Sequence, residues 1–342
     1  MLAVLLAVTL VLGTTATEPD LPGRLDAAAK SYHAAMVNLG SVTGNDVAYD
    51  YYQRLVEDRQ LYDSNDVPDG YSAAQFDQVR DEIATLDLEL VNQLISRTFG
   101  SLADVRGLHE VFIKSSVDGT MQPAALYVPP SYDPAKAAPL VVFLHGRPQS
   151  ESELMAPAFV TALAQSTGSI VIAPYGRGYY DYRDAAASDV YDAFDAVRKA
   201  FSIDPRRQYL AGYSMGGFSV FEVAPLHATD WSAVMCISGG LLGHDALAAV
   251  RSLQQRRLYV LTGDRDPSIP TQYTTETAAY LAAAGVPTSF YRQAGGLHRM
   301  VTLLPILTQA WSDMHAEIIR DTPPSAGAVT LPPTAPTASI KI

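Results

Sequence analysis

The stretch Tyr209-Leu210-Ala211-Gly212-Tyr213-Ser214-Met215-Gly216-Gly217-Phe218-Ser219-Val220-Phe221-Glu222-Val223 changes its period at the centre. A short apolar run of strand character leads into a Gly-x-Ser-x-Gly turn, and a helix-compatible run follows. The bare pattern is only moderately specific; the strand before it and the helix after it give it meaning. A turn this sharp strains the serine so that Oγ projects above the sheet, and side chains at Gly212 and Gly216 would collide across it. The start of the following helix aims free N–H groups and a positive dipole end at whatever reacts there.

A serine hydroxyl is a poor nucleophile at neutral pH unless a histidine takes its proton and a carboxylate orients that histidine. Both partners follow in the chain. Leu258-Tyr259-Val260-Leu261 ends in Thr262-Gly263-Asp264-Arg265-Asp266-Pro267, which places two carboxylates where a strand meets its C-terminal loop. One helix and one strand later, Gln293-Ala294-Gly295-Gly296-Leu297-His298 puts a histidine in a glycine-rich loop. Ser214, a carboxylate and His298 thus each follow a candidate strand, where open α/β sheets place their sites. Asp264 is the alternative to Asp266; its other reading is a loop hydrogen bond or a pair with Arg265. Backbone N–H groups for an oxyanion hole are expected from Met215, after the nucleophile, and from Arg147 or Gly146 in Leu144-His145-Gly146-Arg147.

Working outward, eight short β-branched or apolar runs are separated by helical segments: 111–113, 125–128, 140–144, 170–173, 209–211, 234–237, 258–261 and 288–291. The later runs are apolar at both parities, as in parallel strands covered on each face, and the intervals suit right-handed crossovers. The expected fold class is α/β: an eight-stranded, mostly parallel, doubly wound sheet with helices on both faces and an N-terminal helical segment.

The chain's 342 residues are 48% hydrophobic and 18% charged, enough to bury a full core, so disorder is excluded as the dominant state. Its net charge of −12 would repel a phosphate backbone, which makes nucleic acid an unsuitable partner. The single cysteine, Cys236, excludes an internal disulfide and reads as a small core residue. His33, His109, His227, His244 and His315 show no His-Glu-x-x-His spacing, so no metal is implied.

Residues 2–13 are apolar and run into Thr14-Thr15-Ala16-Thr17, a pattern similar to a secretory signal peptide over 1–17, although no Lys or Arg precedes the apolar core. A buried N-terminal helix is the other reading. Residues 18–107 form an acidic helical segment: positions 18–100 hold 15 acidic and 6 basic side chains, a net of −9 out of −12. Helical spacing is carried by Leu25, Ala28, Ala29, Tyr32 and Ala35, and by Phe76, Val79, Ile83, Leu86, Leu90 and Leu94. Residues 108–320 are the expected catalytic domain, and the proline- and threonine-rich stretch 321–342 the expected disordered tail. No long lid insertion follows Ser238-Gly239-Gly240, so the acidic segment is the candidate cover of the site. The Tyr-rich stretch 175–183 follows a strand as binding loops do, and Tyr179 and Tyr213 are candidate substrate contacts.

Together, His145-Gly146, Gly212-x-Ser214-x-Gly216-Gly217, Gly263-x-x-Asp266-x-x-Ile269-Pro270 and Gly295-Gly296-x-His298 resemble the α/β-hydrolase superfamily over roughly residues 108–320. Within it, the chain is similar to compact bacterial esterases of the dienelactone hydrolase, polyhydroxybutyrate depolymerase and feruloyl-esterase kinds. It is also related to prolyl-oligopeptidase-like catalytic domains, although the 52 residues from Ser214 to Asp266 are short for those peptidases. The resemblance favours Asp266 over Asp264 and gives His145 a loop-shaping role. It implies a serine esterase that acts through an acyl-enzyme on a small-molecule or polymer-derived ester, with no cofactor; the signal-like stretch adds the expectation of a secreted or periplasmic protein with no membrane association after signal cleavage. The alternatives are a serine peptidase and a noncatalytic envelope binding protein.

Overall fold

The computed structural model describes residues 46–178 and 181–319, with a few helical positions between 23 and 34. The signal-like stretch, most of the 25–35 run, Tyr179 and the proline-rich stretch lie outside the described residues. In chain order come α1 (Asp46–Asp63), α2 (Ala73–Ser96), β1 (Gly107–Lys114), β2 (Met121–Val128), β3 (Ala138–Leu144), α3 (Glu151–Met155), α4 (Ala158–Thr167), β4 (Ile170–Pro174) and α5 (Ala185–Ala200). Then follow β5 (Ile203–Tyr213), α6 (Met215–Val223), β6 (Ala233–Ile237), α7 (Ala246–Leu253), β7 (Arg257–Gly263), α8 (Thr271–Ala283), β8 (Thr288–Gln293) and α9 (Leu304–His315).

All eight apolar runs lie within strands of one sheet, ordered β1-β2-β4-β3-β5-β6-β7-β8. β2 pairs antiparallel with both β1 and β4, and every other pairing is parallel. Alternate residues of the central strands divide between two cores, as the twofold repeat of a strand requires. Leu140, Val142 and Leu144 join Leu258 and Val260 on one face, against Phe194, Phe221 and Trp231. Val141 and Phe143 join Tyr259 and Leu261 on the other, against Val160, Leu307 and Trp311. Cys236 is fully buried in the first core. β8 departs from the expectation of two covered faces: its side chains alternate between half-buried and exposed because it is the sheet edge.

The acidic segment forms a third layer. Ser72 starts α2 with a capping box: its Oγ accepts from the Gln75 N–H, and Gln75 Oε1 accepts from the Ser72 N–H at 2.9 Å. The three- and four-residue spacing of Phe76, Val79, Ile83, Leu86 and Leu90 puts all five on a buried face. Leu55 and Tyr62 of α1 pack with Ala84, Leu90 and Val91 of α2 onto Phe112 and Tyr175, while Phe76, Val79 and Ile83 pack onto Ala156.

Under this layer lies a buried ionic cluster drawn from four elements. Arg54 of α1 bonds Glu151 of α3, and its guanidinium lies 3.3 Å from Asp87 of α2, 3.4 Å from Glu110 of β1 and 3.4 Å from Asp58 of α1. Ser152 Oγ accepts from Arg54 at 2.9 Å, and Ser150 Oγ lies 3.3 Å from Asp58. One cation faces four buried carboxyl groups, and Glu153 adds a fifth by hydrogen-bonding Asp58, which requires a shared proton. Burial pushes Asp58, Glu110 and Glu151 above the usual carboxyl range, and Glu153 up to about 7, against the opposing pull of Arg54.

The sign of the linkage follows. A carboxyl raised in the folded state keeps a proton that the unfolded chain releases, so its contribution to stability is lost as pH rises from about 4.5 to about 7. His315, buried and pushed down to about 4, acts in the opposite sense below about 6.5, so the carboxyl contribution is best read as a difference. Glu153→Gln keeps a donor for Asp58 without the charge. Its melting temperature relative to wild type should therefore be near zero at pH 5 and positive at pH 8; a pH-independent difference would contradict the assignment.

Candidate active site

Ser214 stands between β5 and α6 with φ 53° and ψ −115°, a region costly for a residue with a side chain. The turn closes only because its glycines are bare. A Cβ on Gly212 would meet the Gly216 carbonyl at 2.1 Å, and one on Gly216 would meet the Leu144 carbonyl at 2.3 Å. The Ser214 N–H bonds the Ile237 carbonyl and the Gly216 N–H bonds the His145 carbonyl, tying the elbow to β6 and to the loop after β3.

Three separate strand ends bring Ser214, His298 and Asp266 into one chain of hydrogen bonds. His298 Nδ1–H donates to Asp266 Oδ2 at 2.7 Å, leaving Nε2 to accept from Ser214 Oγ at 2.8 Å. The Asp266 side chain is fully buried and that of His298 is 15% exposed, so the pair is largely shielded from water. Asp266 Oδ1 accepts the N–H groups of Ser268 at 2.9 Å and Ile269 at 2.8 Å, which fixes the carboxylate plane. Tyr213 OH donates to the His298 carbonyl at 2.7 Å, so this side chain braces the histidine loop as well as facing the cleft.

Asp264 has another occupation. Its Oδ1 accepts the Gly295 N–H at 2.6 Å and its Oδ2 lies 3.7 Å from Arg292, so its ionic neighbour is Arg292 and not Arg265. The reason is topological: β7 and β8 run parallel side by side with Gly263 opposite Gln293, which puts Arg292 and the 294–296 loop next to Asp264.

The loop after β3 passes directly over the nucleophile, since a Cβ on Gly146 would lie 2.9 Å from Ser214 Cβ. His145 is fully buried beneath this loop, with Nδ1 2.9 Å from the Gly146 carbonyl and Nε2 2.8 Å from the Tyr175 carbonyl. Burial holds its imidazole below its usual pKa.

The sequence did not single out what supports this loop. Tyr182 is fully buried, accepts the His145 N–H at 3.0 Å and donates to the Pro174 carbonyl at 3.1 Å. Asp181 pairs with Arg147 at 3.1 Å, and its carbonyl accepts from Ser219 of α6 at 2.7 Å. Among its described residues, the Tyr-rich stretch thus buttresses the elbow and the loop above it, and the candidate contact Tyr179 lies outside the described residues. Positive φ at Asp181 and Tyr182 makes these contacts, a signal that composition does not carry.

An open cleft of about 810 Å³ leads away from Tyr213 and Arg147. Its opposite wall is built by α1, α2 and the loop between them, through Leu61, Tyr71, Phe76 and Val79. Elsewhere, Glu222, His244 and Asp245 lie close enough to share an ion, but Arg183 already bonds both Glu222 oxygens. Among the described residues no helix is long and apolar enough to cross a membrane.

The reversed second strand, the parallel centre and the strand–Ser214–helix elbow define an α/β-hydrolase. Residues 115–289 match the family described as "Putative esterase", and the chain belongs to that family. Among curated proteins, "Prolyl endopeptidase FAP" of Bos taurus is 29% identical over 132 residues, covering 34% of this chain and 17% of that protein. The "Bifunctional acetylxylan esterase/xylanase XynS20E" of Neocallimastix patriciarum is 30% identical over 118 residues, 33% of this chain and 17% of that one. The chain thus spans well under two thirds of these relatives' length. Of solved structures, the fluorophosphonate-binding serine hydrolase FphF of Staphylococcus aureus superposes with a TM-score of 0.53 at 17% identity, covering 61% of this chain and 98% of that one. A ferulic acid esterase gives a TM-score of 0.52 at 18% identity, covering 61% and 97%. These likenesses show the fold.

Proposed function

We propose that the protein is a serine hydrolase of carboxylic esters that works through an acyl-enzyme, with Ser214, His298 and Asp266 as its catalytic triad. The observation that carries this reading is the 2.8 Å contact between His298 Nε2 and the Oγ of a serine held at positive φ. His298 takes the Ser214 proton as Oγ attacks the ester carbonyl, and Asp266 stabilises the resulting imidazolium. The N–H groups of Met215 and of Arg147 or Gly146 receive the oxyanion. Collapse of the tetrahedral intermediate expels the alkoxide, which takes from His298 the proton that Ser214 gave up. Water then attacks the acyl-enzyme with His298 again as base, releasing the acid and restoring Ser214. Every step uses this chain's own groups and water.

The two carboxylates separate the roles. Asp266→Asn should lower kcat/KM by about 10³- to 10⁴-fold, because the amide cannot hold the imidazole in the required tautomer. Asp264→Asn should cost far less, since it removes a loop contact. Equal losses in steady-state kinetics on p-nitrophenyl acetate would sink this assignment.

The likeness to a prolyl endopeptidase favours a second reading, a serine peptidase. A peptide anilide turned over while p-nitrophenyl and feruloyl esters are not would establish it. We further read residues 1–17 as an export signal, with the mature enzyme secreted or periplasmic; sequencing the N-terminus of the protein recovered from the native host's envelope or medium tests this.

A further inference from the structure

The N-terminal helices precede residue 115, where the family match begins, yet they line one cleft with Tyr213, Arg147 and Arg299, the chain neighbours of Ser214, Gly146 and His298. Their position against the catalytic loops is fixed by two independent contacts. Gly70, at φ +91°, lets the α1–α2 loop lie so close to the histidine loop that a Cβ would meet Val301 Cγ1 at 2.7 Å and Thr302 Cγ2 at 2.9 Å. The Arg54 cluster holds α1 and α2 to α3, which begins just after the loop over Ser214. The wall is therefore part of the folded core, and its chemistry bears on what can lie in the cleft.

That chemistry is graded. Arg147 and Arg299 stand beside Gly146 and His298, at the reacting end, where negative charge develops. Leu61, Tyr71, Phe76 and Val79 present an apolar and aromatic surface from the helical layer, faced by Met300. Glu57 shares the lining, so a group bearing its own negative charge is disfavoured beside it. The volume suits a medium-sized organic group, far more than an acetyl needs.

We propose that the α1–α2 layer is the specificity wall of this enzyme, selecting esters with an extended, uncharged apolar group that lies between Leu61 and Tyr71 on one side and the catalytic loops on the other. The proposal rests on the esterase reading above. It makes Leu61 and Tyr71 specificity-determining residues that touch substrate without taking part in proton transfer.

The test measures kcat/KM for an acyl series, p-nitrophenyl acetate to octanoate, and an alcohol series, methyl to 2-naphthyl acetate, with the full-length protein. Wild type should prefer the longer member of at least one series, and should turn over octanoate faster than an eight-carbon acyl chain ending in a carboxylate. Leu61→Trp narrows the cleft and Tyr71→Glu charges it; each should lower the long-to-short ratio by about tenfold or more, on the scale of pocket discrimination between apolar groups. Two substitutions on separate segments keep the test decisive if one variant fails to fold. Wild-type ratios in both variants, or a preference for the carboxylate-ended chain, overturn the proposal and leave the esterase reading intact. A wild type that turns over no ester in either series overturns both.

Discussion

Replacing Ser214 with alanine is expected to lower ester kcat by about 10⁴-fold or more while leaving KM within a few-fold of wild type. The variant loses the nucleophile but keeps the loop over it and the cleft, so substrate still binds and the residual rate reports what charge stabilisation alone achieves. The Gly212–Gly216 contact should stay unchanged, because alanine at position 214 demands no more space than serine. A fluorophosphonate probe should label wild type at Ser214 and leave the variant unlabelled. A variant with near-wild-type turnover would place the chemistry elsewhere and remove the acyl-enzyme reading.

The second large effect concerns stability. Arg54→Met should destabilise the fold by about 3–5 kcal/mol, the cost typical of removing one partner from a buried ionic group. Methionine approximates the length of the arginine stem but leaves Asp58, Asp87, Glu110 and Glu151, whose side chains are at most 3% exposed, without their common cation. With that attraction gone, the carboxyl groups should retain protons to still higher pH, so the deficit should be smaller at pH 5 than at pH 8. Chemical denaturation at both pH values measures it. A loss under about 1 kcal/mol at pH 8 would mean that the cluster is neutralised or hydrated in a way that does not depend on Arg54.

Much of the architecture was legible because it is written in local periodicity. Runs such as 140–144 and 258–261 are apolar at both parities, which only a strand covered on two faces needs, and each proved to feed both cores. The elbow could be read because its glycines are demanded by backbone contacts that no side chain could replace. Asp266 and His298 were legible as residues following strands, although the histidine that comes later in the chain stands between Ser214 and Asp266. What escaped notice depends on distant residues meeting. Nothing local in Arg54 separates it from a surface arginine; its character comes from four carboxyl groups on four elements, Glu151 lying 97 positions away. Asp181 and Tyr182 were read only as part of a Tyr-rich loop because their contacts rest on positive φ. The acidic count of the N-terminal segment does not show where its charges point: Asp58 and Asp87 are drawn inward around Arg54, and the surface facing the cleft is largely apolar.

The placement of Glu110 and Glu151 has a practical consequence for protein engineering. These two side chains sit on β1 and α3, both after α2 in the chain, and they depend on an arginine contributed from α1. A truncation that begins after α2 would leave two buried acids and the hydrophobic faces of Phe112, Ala156 and Tyr175 without their covering. Conversely, a chimaera that receives α1 and α2 from this protein must also receive both glutamates, or it will import a lone buried guanidinium. Exchange of substrate walls between members of this family is therefore a transplant of matched halves, and its natural crossover point lies after Glu153.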